Sequence, residues 1–125
     1  MTNDPYNLQR FVEAQDPVYA DVLAELKVGR KATHWMWFVF PQLAGLGQSR
    51  MSVFYSIASQ AEADAYLAHP VLGPRLRECT KLVIEADAAR LEDIFGTVDS
   101  AKFRSCMSLF RSEPLCAQSL DRYSD

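Results

Sequence analysis

This sequence has no long hydrophobic run: its longest strongly apolar stretch covers residues 35–40 and is stopped by Pro41. A helix that spans a bilayer needs about 20 consecutive apolar residues, so we predict no membrane-spanning segment and no membrane partner. The first residues are polar and lack the basic start and apolar stretch that mark a secretory signal. These two absences together favour a cytoplasmic protein.

Cysteine and histidine are scarce, and their spacing matches no metal or redox motif. Cys79, Cys106 and Cys116 are far apart and no C-x-x-C pair occurs, which argues against a zinc knuckle or a thioredoxin-type site. His34 and His69 have no acidic residue three or four positions further along the chain. We therefore predict no metal site and no cofactor. The cysteines are expected to be small buried hydrophobic side chains in a reducing compartment.

The chain also lacks an excess of basic residues. Its 13 basic and 16 acidic residues give a net charge of −3, which argues against nucleic-acid binding driven by bulk charge. Apolar residues make up 49% and charged residues 23%, values that are typical of a folded globular chain rather than a disordered one. Its 125 residues fit one domain, so we expect residues 1–125 to form a single unit.

Signals for the start and end of helices recur along the chain. An Asp-Pro pair occurs at residues 4–5 and again at 16–17, a pattern that places an N-cap before a proline at the first helical position. Gly29 is a natural stop for the helix that follows the second pair. Ser59 and Glu62 have the spacing of a capping box. Apolar periodicity and the breakers glycine and proline predict further helices over residues 70–86, 91–95, 98–111 and from 114 onwards.

The apolar run at residues 35–40 is ambiguous by periodicity alone. As a strand it would place Trp35 and Trp37 on one face, whereas as a helix it would stack Trp35 on Phe38. We choose a helix because the sequence holds no second strong strand, and a lone strand leaves its backbone groups without partners. The expected fold class is all-α, a compact single-domain bundle of about six to eight short helices.

Aromatic residues are concentrated in one part of the chain: six of the fourteen lie between Trp35 and Tyr55. They can belong to the core, where large aromatics contribute most, or form a platform on which a ligand stacks. The sequence leaves both interpretations open. Trp37 lies inside the apolar run and is expected to be largely buried, whereas Trp35 is a candidate for stacking on a ligand.

His34 opens this apolar run and follows Arg30 and Lys31 closely. A histidine in this position either donates a hydrogen bond to a backbone carbonyl or titrates near neutral pH as an acid, a base or a ligand anchor. His34 is therefore the best candidate for a catalytic residue, although the sequence does not decide between these roles. His69 precedes a proline and is expected at a junction between helices.

The pattern Gly45-x-Gly47-x-Ser49 is either an ordinary turn or a loop whose backbone amides converge on an anion. It matches neither the dinucleotide-binding fingerprint nor the P-loop. Lys102 and Ser105 lie three residues apart on one helix face, which favours either close helix packing or a polar pocket wall. No G-x-S-x-G elbow and no Ser-x-x-Lys motif occurs, so a serine hydrolase has no support.

We predict that the chain binds a small polar or anionic ligand in a pocket next to residues 34–42. Basic side chains would hold the negative charge, an aromatic ring would stack and Gln42 and Ser49 would orient the ligand. An enzyme that uses His34 as acid or base and a protein–protein interaction module are the alternatives. The candidate ligand-binding residues are His34, Trp35, Gln42, Ser49, Tyr55, Arg75, Lys102 and Ser105.

Several of these residues fall in blocks that resemble a known family. The stretch HWMWFVFPQ at residues 34–42, followed by Gly45-Leu46-Gly47-x-Ser49, is similar to the signature of the bacterial "domain of unknown function 1810" family. Residues 69–76 and 93–110 resemble its later blocks. The resemblance implies a compact all-helical domain and no particular activity. Some members carry the label calpastatin, but calpastatins are long and disordered, unlike this short globular chain.

Overall fold

Apolar residues at helical spacing form eight helices within residues 3–124, the part of the chain that the computed structural model describes. Over these residues the prediction of an all-α fold with six to eight short helices is confirmed. No helix among them is long and apolar enough to cross a membrane. The helices are α1 (Gln9–Gln15), α2 (Tyr19–Val28), α3 (Met36–Val39), α4 (Arg50–Phe54), α5 (Gln60–Ala68), α6 (Leu72–Glu85), α7 (Leu91–Leu109) and α8 (Pro114–Arg122).

The first helix begins later than the Asp-Pro pattern predicts. The Asp4 carboxylate accepts hydrogen bonds from the backbone N–H groups of Leu8 (2.8 Å) and Gln9 (2.9 Å), so it caps a helix that begins at Gln9. Placing Pro5 at the first helical position is therefore wrong, because the carboxylate reaches across an intervening turn. The predicted stop at Gly29 is confirmed: it adopts φ +82°, a left-handed conformation that glycine tolerates.

The junction between α5 and α6 is tight. His69 Nδ1 accepts from the backbone N–H groups of Val71 (3.1 Å) and Leu72 (3.2 Å), which confirms its predicted position at a junction between helices. A Cβ at Gly73 would lie 2.2 Å from the carbonyl oxygen of Leu67, so only glycine fits where the two helices meet. From this junction α6 runs through the protein and packs against α2, α5 and α8.

The two helices predicted over residues 91–95 and 98–111 form one element, α7, with a kink. Gly96 has φ +77° and ψ 176°, which is not helical, and the helix resumes beyond it. Glycine adopts this conformation without the steric penalty that a Cβ imposes. The second half of α7 therefore takes its own direction, and it supplies one wall of the site described below.

Trp35 lies in the core and is only 1% exposed. Its indole N–H donates to Glu25 Oε1 at 3.0 Å, and its ring packs near Phe40 and Phe95. Trp37, within the short helix α3, is partly buried and packs against the core. The expectation that Trp37 is largely buried agrees with this position, whereas the expectation that Trp35 is available to a ligand is wrong, because Trp35 is the more deeply buried of the two rings.

A largely buried ion pair fixes the connection between α4 and α5. Arg10 Nη2 lies 3.0 Å from Glu62 Oε2, and the same guanidinium donates to the carbonyl oxygens of Phe54 (3.0 Å) and Ser56 (2.9 Å). Glu62 Oε1 in turn accepts from the backbone N–H of Ala58 at 3.0 Å. These contacts hold residues 54–58 in place. The position of residues 54–58 in turn limits where the neighbouring residues 42–46 can lie.

Candidate functional site

An open groove of about 680 Å³ lies between the C-terminal half of α7 and the segment that follows Pro41. This volume falls within the range of about 300–1,000 Å³ that is usual for ligand sites. We call it the α7 groove. Its lining residues are Leu43, Leu46, Gln60, Arg104, Ser105, Ser108, Leu109, Arg111 and Ser112.

One wall of the α7 groove is built from residues 42–46, which are held in place by backbone hydrogen bonds. The N–H of Ala44 donates to the carbonyl of Ile57 at 2.8 Å, and the N–H of Ile57 donates to the carbonyl of Gln42 at 2.8 Å. These bonds form an isolated parallel bridge between Leu43 and Ile57. Because α5 begins soon after Ile57, the bridge places Leu43 beside Gln60, the first residue of that helix.

The opposite wall is one face of α7 and the turn that follows it. Residues three and four positions apart on a helix are neighbours on its surface. The side chains of this wall form two adjoining rows, Arg104–Ser108–Arg111 and Ser105–Leu109–Ser112. The wall therefore presents two guanidinium groups, three hydroxyls and one apolar side chain to the groove.

The α7 groove has an excess of positive charge. Arg104 donates to Glu92 Oε2 at 3.2 Å. The pKa of Glu92 is lowered by a backbone hydrogen bond and then by the contact with Arg104, so this pair is charged and compensated at neutral pH. Arg111 is exposed and forms no ion pair within residues 3–124. Its charge remains available to an anion.

A second, much smaller pocket adjoins the α7 groove and shares Leu43 with it. It is lined by Trp37, Gln42, Tyr55 and Lys102, among others, and its volume is about 10 Å³. A cavity of this size holds about one water molecule. The space next to residues 34–42 is therefore too small for the ligand predicted to bind there. Space for a ligand begins on the far side of Leu43.

The structure brings together four of the eight candidate ligand-binding residues. Gln42, Tyr55 and Lys102 line the small pocket, and Ser105 lines the α7 groove one turn further along α7. The charge of Lys102 is partly compensated, because its Nζ lies 3.9 Å from Asp99.

The other four candidates lie elsewhere. Trp35 cannot stack on a ligand because it is buried in the core. Arg75 forms an ion pair with Asp16 at 2.8 Å and lies over the ring of Tyr19. Its guanidinium is therefore already engaged at the junction between α1 and α2. His34 is exposed and lines neither the small pocket nor the α7 groove. Ser49 caps α4.

Ser49 and the glycines before it form a structural turn. Ser49 Oγ accepts from the backbone N–H of Ser52 at 3.1 Å, which caps the first turn of α4. A Cβ at Gly47 would lie 2.4 Å from Cβ of Ser52, so glycine is needed for the loop to approach the helix. The ordinary-turn interpretation of Gly45-x-Gly47-x-Ser49 is the one that this geometry favours.

The cysteines do not contribute reactive groups to the site. All three are buried free thiols, as expected from the sequence. Burial raises the pKa of Cys79 and of Cys116 to about 12, so neither is a thiolate at neutral pH.

Sequence reasoning missed most of the groove. Arg104 and Arg111 carry the charge of the site, and neither was among the candidates. Their signal in the sequence is the row Arg104-x-x-x-Ser108-x-x-Arg111, which repeats the helical period on a face that also bears Ser105. Leu43, Leu46 and Gln60 give no such signal, because they reach the groove only through the Leu43–Ile57 bridge.

Comparisons with known proteins agree with this fold. A family model described as "Protein of unknown function (DUF1810)" matches residues 5–125. The crystal structure of the conserved hypothetical protein Rv1873 from Mycobacterium tuberculosis is similar, with a TM-score of 0.93 and 51% sequence identity. That likeness covers 96% of this chain and 89% of the other. No curated protein matches.

Proposed function

We propose that this chain, which belongs to the DUF1810 family of proteins of unknown function, binds an anionic ligand in the α7 groove. The observation that carries the proposal is the uncompensated guanidinium of Arg111 in a groove of ligand size. Arginine binds carboxylate and phosphate groups through two parallel hydrogen bonds, which makes it well suited to this task.

The hydroxyls of the groove complete an anion site. Ser105, Ser108 and Ser112 each offer one O–H donor on the wall that carries the guanidinium. A carboxylate or phosphate accepts several hydrogen bonds at once, so a row of hydroxyls beside an arginine serves such a group better than it serves a neutral one.

The groove also has apolar lining residues. Leu43 and Leu46 form much of the wall opposite the arginines, and Leu109 lies between the serines. A ligand that fits both walls therefore carries an acidic group and an apolar portion. This narrows the prediction of a small polar or anionic ligand to an amphiphilic anion.

Catalysis has less support than binding. His34, the best candidate base, is exposed and makes no side-chain hydrogen bond within residues 3–124. The cysteines are buried and protonated at neutral pH. The groove itself offers serines but no neighbouring base to activate them.

Nuclear magnetic resonance titration of the ¹⁵N-labelled protein tests the proposal with hexanoate, inorganic phosphate and the neutral analogue hexanamide. We expect hexanoate to shift the backbone signals of residues 104–112 and 43–46, and hexanamide to shift them far less. A hydrogen bond to a charged group contributes about 1.5–3 kcal/mol, so Arg111→Gln is expected to weaken hexanoate binding about 10- to 100-fold.

Arg30→Gln is the matched control, because Arg30 is also an exposed arginine but lines a different hollow at the end of α2. Arg104→Gln is expected to have a smaller effect than Arg111→Gln, since Glu92 already compensates Arg104. Equal hexanoate affinities for Arg111→Gln and Arg30→Gln would show that the α7 groove is not an anion site. So would shifts confined to residues outside the groove.

A further inference from the structure

We propose that the occupant of the α7 groove is an acidic, amphipathic peptide segment of a partner protein. This inference rests on the proposed function, because it takes the arginines of the groove as the anchor for the acidic side chains. It adds the kind of ligand, and it rests on exposed apolar side chains that follow the groove residue Leu46 along the chain.

That surface lies on the segment that forms one wall of the groove and then enters α4. Leu46 is 58% exposed, Val53 59% and Phe54 54%, and Met51 between them is also exposed. We call Leu46, Met51, Val53 and Phe54 the apolar strip. Leu46 lines the groove, and the chain continues from it into α4, which carries the other three exposed side chains.

The apolar strip is held rigidly in its exposed position. Phe54 is anchored through its backbone, whose carbonyl accepts from Arg10 Nε at 3.0 Å. The start of α4 is fixed by the Ser49 cap and by the close approach of Gly47 to Ser52. No residue of α4 is buried, so this helix presents its side chains outward instead of adding to the core.

The geometry favours a peptide over a small molecule. Sites for small ligands bury about 70–90% of the ligand surface. The α7 groove is open, and the chain that lines it at Leu46 leads into α4, whose Met51, Val53 and Phe54 are exposed. A peptide that leaves the groove beside Leu46 covers these side chains as well, whereas a small ligand leaves them exposed. Large exposed apolar side chains that form a patch are typical of an interaction site.

Charge determines which peptide fits. The chain as a whole carries a net charge of −3, yet within residues 3–124 the lining of the α7 groove includes Arg104 and Arg111 and no acidic residue, and only Arg104 is paired, with Glu92 outside the lining. Complementary charge on the partner is therefore negative. A second copy of this chain would bring an overall negative charge but needs a protruding acidic element to enter a concave groove.

A lipid surface fits the same chemistry less well than a peptide does. Helices that lie in a membrane interface need a long apolar face, and many of them have about 20–30 residues. Helix α4 has 5 residues, and the arginines of the groove lie on a concave wall that a flat bilayer does not enter. A narrow acidic segment reaches both the arginines and the strip.

Fluorescence anisotropy with three synthetic peptides tests the inference. The first peptide has about 16 residues, with leucines at helical spacing and glutamates at the other positions. The second replaces each glutamate by lysine, and the third replaces each leucine by serine. We expect the first peptide to bind, the second not to bind, and the third to bind at least tenfold more weakly than the first.

Two variants separate this inference from the proposed function. Val53→Ser removes an apolar side chain of the strip, and we expect it to weaken binding of the first peptide about threefold or more while hexanoate affinity is unchanged. Its matched control is Val28→Ser, at a residue that is 80% exposed on α2, and it is expected to change neither affinity. Arg111→Gln is expected to weaken the binding of both hexanoate and the first peptide.

Several outcomes would overturn the inference. If hexanoate binds and depends on Arg111 but the first peptide does not bind, the proposed function stands and the peptide is not the occupant. If Val53→Ser and Val28→Ser bind the first peptide equally, the strip is not part of the site. If the protein sediments as a dimer that Val53→Ser dissociates, the strip is covered by a second copy. If vesicles with anionic lipids bind and the first peptide does not, the occupant is a membrane. If neither hexanoate nor the first peptide binds the protein, both proposals are rejected.

Discussion

Replacement of Trp35 by alanine is expected to lower the free energy of unfolding by about 3–5 kcal/mol. Trp35 is 1% exposed, so the substitution removes a fully buried indole and leaves a cavity in the middle of the core. It also ends two aromatic contacts, with Phe40 at 6.2 Å and with Phe95 at 6.5 Å between ring centroids. Small domains have a total stability of about 5–15 kcal/mol, so this loss is a large part of the margin.

The hydrogen bond of the indole contributes separately from the packing. Glu25 accepts from the N–H groups of Ala32 and Thr33, from the Thr33 hydroxyl and from the Trp35 indole. Trp35→Phe keeps much of the ring volume but removes one of these donors. We expect it to cost about 1–3 kcal/mol, the usual cost of leaving one partner of a hydrogen bond unsatisfied. A double-mutant cycle with Glu25→Ala, which removes the acceptor, isolates this hydrogen bond.

Trp37→Ala is the matched comparison, since it truncates the same residue type two positions away. Trp37 is half-buried, so its substitution removes less buried surface and opens an existing small pocket instead of creating a new cavity. Urea unfolding followed by far-ultraviolet circular dichroism measures both variants. A larger loss of stability for Trp37→Ala than for Trp35→Ala would show that we have assigned the two rings to the wrong environments.

Two further predictions concern charge and packing. Burial opposes ionisation of Glu25, but the hydrogen bonds from Thr33, Ala32 and Trp35 outweigh it and lower its pKa to about 2. Because the folded pKa lies below the ordinary value, this carboxylate stabilises the fold above about pH 4.5 and the contribution is lost as the pH falls towards 2. The difference in free energy of unfolding between wild type and Glu25→Gln, measured by urea unfolding, is therefore expected to shrink as the pH falls from 6 to 2. A difference that stays constant over this range would contradict the lowered pKa of Glu25. Gly73→Ala is expected to lower the free energy of unfolding by about 1–3 kcal/mol in the same assay, because its Cβ would lie 2.2 Å from the Leu67 carbonyl oxygen. Gly45→Ala is the comparison: its Cβ would meet no atom, and the substitution is strained only by the φ of +96°.

Local chemistry was sufficient to predict where most helices begin and end. Gly29 stops α2, Ser59 caps α5 and Pro114 opens α8, all as expected. Each of these signals acts within one turn of the backbone, through a side-chain cap, a left-handed glycine or a proline that fits the first helical position. The error at Asp4 is of the same local kind, because a carboxylate can cap a helix across a short turn.

The environments of the two tryptophans could not be predicted in this way. Helix α3 has 4 residues, and so short a helix defines no face by its periodicity. Trp35 is buried because Glu25 of α2, the nearby ring of Phe40 and the ring of Phe95 in α7 surround it. Phe40 is a near neighbour in the sequence, but Phe95 is 60 positions away and no local pattern brings it to Trp35.

The candidate site likewise has one part that local sequence signals predict and one part that they do not. Helical periodicity is enough to predict the face of α7 that carries Ser105, since a helix places residues three and four apart side by side. That this face meets Leu43 and Gln60, more than 40 positions earlier, follows from long-range packing, because a single bridge between Leu43 and Ile57 brings them there. Helical periodicity is a property of neighbouring residues, whereas a groove forms between surfaces whose contact depends on how the whole chain packs.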